Sequence, residues 1–428
     1  MKKFTILALA LCLAVVMAAP VMAVDADFSG YYRVRGVYVQ QYDLRDTSEN
    51  NAFMNMSFRL QTVFKVSDIL SVTTRFDALD GYIWGGGNDA ATGGADNNLN
   101  FDRAYMTINA PLGKFDIGRQ AGGTFGTKFL DSASSVDRIK YTKVIDDLTI
   151  LAIFEKVTEG DSGLASSDDG DVDHDKYCLA AIKKMENVTA GVLGVFYNDK
   201  NTGSDANDAN ESTIKKYALN PYFVSKFGPL AIHGELCYIW GERDYDAAAT
   251  ADLDYKQLAY NVEGSYNLGA ATVLAGYAFI SGENTDATEV TAYNGVGNDW
   301  EKLLILTTNE IPALRDSLGG VGNVSTDGTL EVGAKIIYAG VVVSPVENVS
   351  LTFAAGSAKA DEKPASYYSD DFGVEYDLTL NWKIYDNLTY TAIAAYLDAG
   401  DIFWTTNSTK PPNFDDTYAL FHQLQLSF

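Results

Sequence analysis

The chain has 428 residues, with 32 Lys and Arg against 57 Asp and Glu and a net charge of −25. Such a surface concentrates cations and disfavours nucleic acid. The 26 Tyr and 37 Gly with only nine Pro suit many strands joined by glycine turns, and past the first residues no apolar run is long enough for a spanning helix.

The N-terminus reads MKKFTILALALCLAVVMAAPVMA. Lys2 and Lys3 precede an apolar stretch from Ile6 to Ala19, and Val21-Met22-Ala23 fits a small-residue cleavage site. Residues 1–23 are therefore read as a signal peptide and 24–428 as the mature chain. A membrane anchor is the competing reading, but the stretch is short and Pro20 follows it. Cys12 lies inside this apolar core. The remaining Cys178 and Cys237 fall in predicted strands and are expected as free thiols.

Alternation of apolar and polar residues then marks eighteen segments: 27–40, 53–66, 69–79, 99–110, 113–121, 136–144, 148–157, 175–186, 188–198, 212–227, 229–242, 253–268, 270–282, 330–343, 348–358, 370–385, 387–398 and 415–428. The joins alternate between tight turns, such as Pro111-Leu112 and Asn187, and long loops. Eighteen antiparallel strands closed into a transmembrane β-barrel fit this layout, with short periplasmic turns and long outer loops. Sixteen strands remain possible because boundaries drift. A secreted sandwich is the alternative; it explains neither the loop asymmetry nor the chain's last residues.

Eight of the ten arginines precede residue 140. In the segment 53–66, Met54, Met56, Phe58, Leu60 and Phe64 share one face, and Asn55, Ser57, Arg59, Gln61 and Lys65 the other. A charge facing lipid costs about 2–4 kcal/mol at mid-bilayer, so the second face lines water. The same parity places Arg33, Arg35, Arg75, Arg103 and Arg138 inside, with Lys140 beside the last. Consecutive strands make these one basic wall. It either orients and selects ions or braces a loop folded into the barrel. Strict alternation from Phe115 and Ile117 would turn Arg119 outward, so an inward Arg119 requires a bulge.

The loop at 122–135 carries Lys128 and Asp131 as its only charges. Loop 158–174 is acidic. Its DGDVDHD stretch offers Asp169, Asp171, Asp173 and Asp175 as a weak calcium candidate, but His174 stands where an EF-hand needs glycine. In the loop 283–329, Trp300 to Leu306 is apolar, and Ile311, Leu314 and Leu318 follow the spacing of a short helix. This apolar face must pack on the barrel mouth, the lumen or a neighbouring subunit. At 372–384, Phe372, Val374, Tyr376, Leu378, Leu380, Trp382 and Ile384 alternate with Gly373, Glu375, Asp377, Thr379, Asn381 and Lys383.

The chain ends DDTYALFHQLQLSF. Tyr418, Leu420, His422, Leu424, Leu426 and Phe428 lie on one parity, and Thr417, Ala419, Phe421, Gln423, Gln425 and Ser427 on the other. No Ser/His/Asp arrangement, catalytic metal set or cofactor motif stands out among the three histidines, so neither an enzyme nor a cofactor is expected.

This last strand resembles the closing strand of outer-membrane barrels, in which a terminal aromatic belongs to the assembly signal; the resemblance implies that role for Phe428. GKFDIGRQAGGTFG (113–126) resembles the strand that enters loop 3 of general trimeric porins of Gram-negative bacteria, and DRIKYT (137–142) the strand after it. Similarity to the homotrimeric porins of sulfate-reducing bacteria is weaker. The resemblance implies Arg119 as a constriction residue, a loop 3 folded into the channel, and a homotrimer in the outer membrane. It also implies contacts with lipopolysaccharide and the barrel-assembly machinery, and passive passage of small hydrophilic solutes and ions. Two other readings are a substrate-specific channel for sugars or organic acids, and a structural envelope protein or adhesin.

Overall fold

The computed structural model describes residues 25–41, 44, 50–85, 99–132, 134–159, 173–201, 212–245, 250–293, 300–307, 332–363, 369–403 and 416–428. Nineteen strands follow in order: β1 (Asp25–Val39), β2 (Asn51–Lys65), β3 (Leu70–Ile83), β4 (Leu99–Ala110), β5 (Gly113–Ala121), β6 (Ser135–Ile145), β7 (Leu148–Thr158), β8 (His174–Lys184), β9 (Val188–Asn201), β10 (Ser212–Phe227), β11 (Leu230–Tyr245), β12 (Leu253–Asn267), β13 (Ala271–Ile280), β14 (Glu289–Val290), β15 (Ala334–Val346), β16 (Val349–Lys359), β17 (Asp371–Tyr385), β18 (Leu388–Ala399) and β19 (Thr417–Ser427). Eighteen of them form a closed antiparallel barrel, since β1 pairs with both β2 and β19. The two-residue β14 sits outside this order. It runs parallel to β12, while β13 pairs directly with β15.

All eighteen segments read from alternation are wall strands, and 99–110, 113–121 and 212–227 coincide end to end with β4, β5 and β10. The reading at 330–343 was displaced. β15 continues to Val346 through a bulge between Val343 and Val346, which lets Pro345 sit in the strand without breaking the ladder. β3 also outruns its reading. It bends through Leu79 and Gly81, both in the left-handed region at φ 54° and 70°, before rejoining β2 at Tyr82.

Closure is tight. β1 and β19 pair from Tyr31↔Ser427 to Val39↔Ala419. Beyond the ladder, Phe428 N donates to Gly30 O (3.0 Å), Gly30 N donates to Phe428 O (2.8 Å), and the Phe428 ring stacks on Phe58 at 6.2 Å. Gly36 is required at this seam: a Cβ there would lie 2.1 Å from His422 Nε2, so the imidazole lies across bare backbone.

Outward positions carry the apolar residues, and β19 alternates buried Thr417, Ala419 and Phe421 with exposed Tyr418, Leu420 and His422. An outer aromatic row crosses five adjacent strands near the long-loop end: Phe154, Tyr177, Phe196, Tyr217 and Trp240, with centroids 5.1–6.1 Å apart. Such a girdle belongs at a membrane–water interface. Among the described residues no helix is long and apolar enough to cross a membrane; the crossing is made by strands.

The packed core lies inside the barrel. Trp300–Thr307 enters it, with Leu303, Ile305 and Trp300 at 1%, 2% and 3% exposure. This answers where the apolar stretch packs. The helix expected around Ile311, Leu314 and Leu318 lies outside the described residues, as does the 1–23 segment.

Candidate functional site

The lumen is lined by two unlike walls. On β1–β4 the arginines converge with carboxylates between them. Arg59 Nε and Nη2 each donate to Asp77 at 2.7 Å, a bidentate pair. Arg75 is bonded to Asp102, and Arg103 Nε is 3.9 Å from the same carboxylate. Arg33 and Arg59 both lie over the Tyr31 ring at 5.2 Å. Arg35 Nε donates to Gln423 (2.8 Å) and its guanidinium covers Phe421 at 5.8 Å. The wall continues on β6–β8. There Lys140 is 3.4 Å from Asp116, and Arg138 and Lys176 share Glu155 at 3.8 and 2.7 Å.

Asp77, Asp80, Asp102, Asp116 and Glu155 were not among the residues picked out from sequence. Asp77 could have been, since it stands two residues from Arg75 and shares its face. Asp116 and Glu155 stand directly opposite Lys140 and Arg138 in the register. Asp80 and Asp102 were hidden by irregular backbone. The register shifts beside Met56/Phe58 and Arg75/Phe76 let both turn toward the arginines. Ser57 Oγ then donates to Asp80 (2.7 Å) and Ser135 Oγ to Asp102 (2.5 Å).

Two segments cross the interior. Loop 3, residues 122–134, is pinned to the far wall by Glu235 of β11, which accepts from Thr127 N (2.8 Å) and Thr127 Oγ1 (2.6 Å). Gly126, at φ 93°, makes this approach possible, because a Cβ there would sit 2.0 Å from Glu235 Oε1. Phe129 is fully buried against Trp300, with ring centroids 5.2 Å apart. The second segment, 300–307, is held by its backbone. Leu304 N donates to Asp377 (2.8 Å), and Ile305 N and Leu306 N donate to the two oxygens of Glu375 (2.6 and 2.7 Å). Lys302 Nζ reaches Glu263 at 2.6 Å. Lys128 is exposed on loop 3, whereas Asp131 and Glu301 lie within electrostatic range of Arg103 and Arg35.

Arg119 is corrected. β5 runs without a register shift against β4 and β6, so alternation holds and Arg119 stays on the outer face with Phe115 and Ile117. There it pairs with Asp137 at 3.0 Å. Each is the third residue from the long-loop end of its strand, a level at which the lipid-face penalty falls to about 0–1 kcal/mol.

The calcium candidate fares poorly too. Lys156 Nζ bonds Asp173 and is 2.9 Å from Asp175, so an ammonium fills the place of a cation; Asp169 and Asp171 lie outside the described residues. Among the described residues no metal-ligating group of three or more forms. Cys178 and Cys237 are free thiols on strands three apart.

A closed eighteen-stranded barrel with a charged, segment-narrowed interior defines a membrane channel, since a barrel of this size leaves room for water. The sequence matches the Gram-negative porin family over residues 8–393, and the chain belongs to that family. It is an outer-membrane porin, a channel for passive diffusion. Its fold is shared with OccK8 (OprE) of Pseudomonas aeruginosa at 12% identity and TM-score 0.54, covering 94% of this chain and 98% of that one. A BenF-like porin from Pseudomonas fluorescens Pf-5 matches at 13% identity and TM-score 0.54, covering 94% and 99%. OccK5 (OpdH) of P. aeruginosa matches at 11% and 0.53, covering 94% and 98%. No curated protein matches in sequence.

Proposed function

We propose that small hydrophilic solutes and ions cross this porin along the arginine wall of β1–β4, past a narrowing set by loop 3 and segment 300–307. The observation that carries this is the position of the two segments. Loop 3 is bonded to β11, across the barrel from the arginines, and the second segment to β17, beside the closing strands, so both stand inside the lumen next to the arginine wall. Cations and carboxylates set side by side give a strong local field with a small net charge. That favours orienting polar solutes over excluding one sign of ion. The driving force is the solute gradient.

The wider setting belongs to the same reading. Residues 1–23 direct export and are removed, and Phe428 serves assembly by the barrel machinery. The acidic loops meet the lipopolysaccharide surface through divalent cations, and three copies associate. Arg33, Arg35, Arg59, Arg75, Arg103, Arg138 and Lys140, with Lys128 and Asp131, act in the pore; Arg119 does not. Planar-bilayer recording of the purified protein tests the core of this proposal. Open steps that grow in proportion to salt concentration are expected, and a preparation that inserts but stays silent would overturn it.

A further inference from the structure

The wall that continues from the arginines onto β7–β9 is not uniformly polar. Leu151 and Ile153 of β7, Ile182 of β8, and Leu193 and Val195 of β9 turn inward and border a cavity of about 620 Å³ closed on one side by Phe125 and Leu130 of loop 3. That volume is in the range of small-molecule sites, about 300–1,000 Å³. Apolar surface facing a wet passage does nothing for ion flow, and loop 3 covers it only in part: Val195 is buried, whereas Leu151, Ile153, Ile182 and Leu193 are half-buried.

Four cations border the same cavity: Arg138, Lys140, Lys176 and Lys216. Among the described residues Glu155 is the one carboxylate bordering it, and it already serves both Arg138 and Lys176. Lys140 leans on Asp116. Lys216 differs from the rest. Among the described residues it forms no ion pair; its ammonium sits over the rings of Tyr197 (5.5 Å) and Tyr255 (4.7 Å). Two aromatic faces hold the charge in place, and Asp199 is within electrostatic range without forming an ion pair with it. An apolar bed beside a fixed cation with no contacting carboxylate among the described residues suits one kind of solute, an anion with a greasy body. A neutral sugar would meet apolar side chains where it needs donors and acceptors. A bare inorganic anion would leave the apolar bed unused.

We propose that this cavity is a binding site for organic carboxylates carrying an apolar or aromatic body, with Lys216 as the carboxylate's partner and the Leu151–Val195 face as the bed for the body. The proposal rests on the channel reading above, because the solute arrives through the lumen, but the two fail separately.

The test is calorimetric titration of the folded full-length protein in detergent with phenylacetate, its uncharged isostere phenylacetamide, and acetate. Phenylacetate should bind at least tenfold more tightly than either. Lys216→Gln should weaken phenylacetate at least tenfold, and Lys216→Arg, which keeps the charge and controls for folding, should retain binding. Equal affinity for phenylacetate and phenylacetamide, or for phenylacetate and acetate, overturns the assignment, as does undiminished binding by Lys216→Gln. Bilayer conductance of the same preparation separates the two ideas. Conduction without phenylacetate binding removes the site alone; binding without conduction removes the channel reading and leaves the site.

Discussion

Glu375→Ala should unseat the segment 300–307 and widen the channel. The argument is a near balance. Five side chains of the segment, Trp300 and Leu303 to Leu306, are buried to 7% exposure or less. At about 1.5–3 kcal/mol each, their burial contributes roughly 8–15 kcal/mol. Fixing the backbone of the segment's eight residues, Trp300 to Thr307, opposes this at about 1–2 kcal/mol each, or roughly 8–16 kcal/mol. The outcome is therefore decided by the polar anchors. A buried N–H left without its acceptor costs about 1–3 kcal/mol, and Glu375 accepts two of the three backbone bonds that hold the segment. Losing both costs about 2–6 kcal/mol, roughly a thirtyfold or greater fall in the ratio of seated to unseated chain. Single-channel recording should show larger and noisier steps for Glu375→Ala than for wild type, and limited proteolysis should cut near Lys302 only in the variant. Identical conductance and identical cleavage in the two proteins would refute the idea that these carboxylates seat the segment.

Replacing Arg59, Arg75 and Arg103 together by Gln should shift permeation toward cations, because Asp77 and Asp102 then lose the arginines that pair with them. The reversal potential in a salt gradient should move less at high salt, where the Debye length shrinks to a few ångströms, and an unchanged potential at low salt would make these arginines purely structural. Arg119→Gln should leave the reversal potential where it is, since its charge faces away from the lumen; a shift as large as that of the triple variant would contradict the outward placement. Deleting Phe428 should lower outer-membrane levels several-fold, through loss of recognition, of the Phe58 contact and of two backbone bonds to Gly30; normal levels would count against it. A cysteine at Ala165 should be labelled in intact cells and one at Leu112 only after the outer membrane is opened; the reverse pattern would invert the topology.

The wall of this barrel was legible because a lipid-facing strand must alternate. Most of the wall strands carry their own period-2 pattern, and a one-residue slip in them would turn charges into lipid. What alternation could not show is where it is interrupted. Asp80 and Asp102 reach the arginines through backbone irregularities that no residue type announces. Arg119 errs in the opposite direction: the resemblance to trimeric porins asked for a bulge, and the chain keeps its parity instead. The apolar stretch at Trp300–Leu306 was visible, but its destination was not, because the partners that hold it are 69 to 73 residues away on β17. The inward apolar face of β7–β9 was also missed. In Val188–Asn201 both parities are apolar, so no contrast marks which face meets water.

The seat of segment 300–307 can be traced to small side chains. Ala278, Ala334, Ala358, Ala395 and Ala419 face the interior from β13, β15, β16, β18 and β19, each at 5% exposure or less. Gly356 adds to the space, since a Cβ there would lie 2.7 Å from Leu303 Cδ1. A water-filled channel has no use for a patch of alanines, whereas an inserted leucine-rich strip needs that room. The carboxylates complete the argument. Glu375, fully buried, and Asp377, at 5%, stand in this apolar surround, where an unpartnered charge is costly. Each accepts backbone N–H groups of the inserted segment, which are themselves orphans because 303–306 forms no ladder. The segment gives both oxygens of Glu375 and one of Asp377 a backbone donor, and the carboxylates take up three of the segment's N–H groups. Neither set of groups is stable in the barrel without the other, so the insertion is part of the fold and not a loop that happens to rest there. The arginine wall requires no such cover, because Asp77, Asp80 and Asp102 already balance much of its charge from within the strands. One half of the interior is thus filled by the chain and the other is left to water and solute.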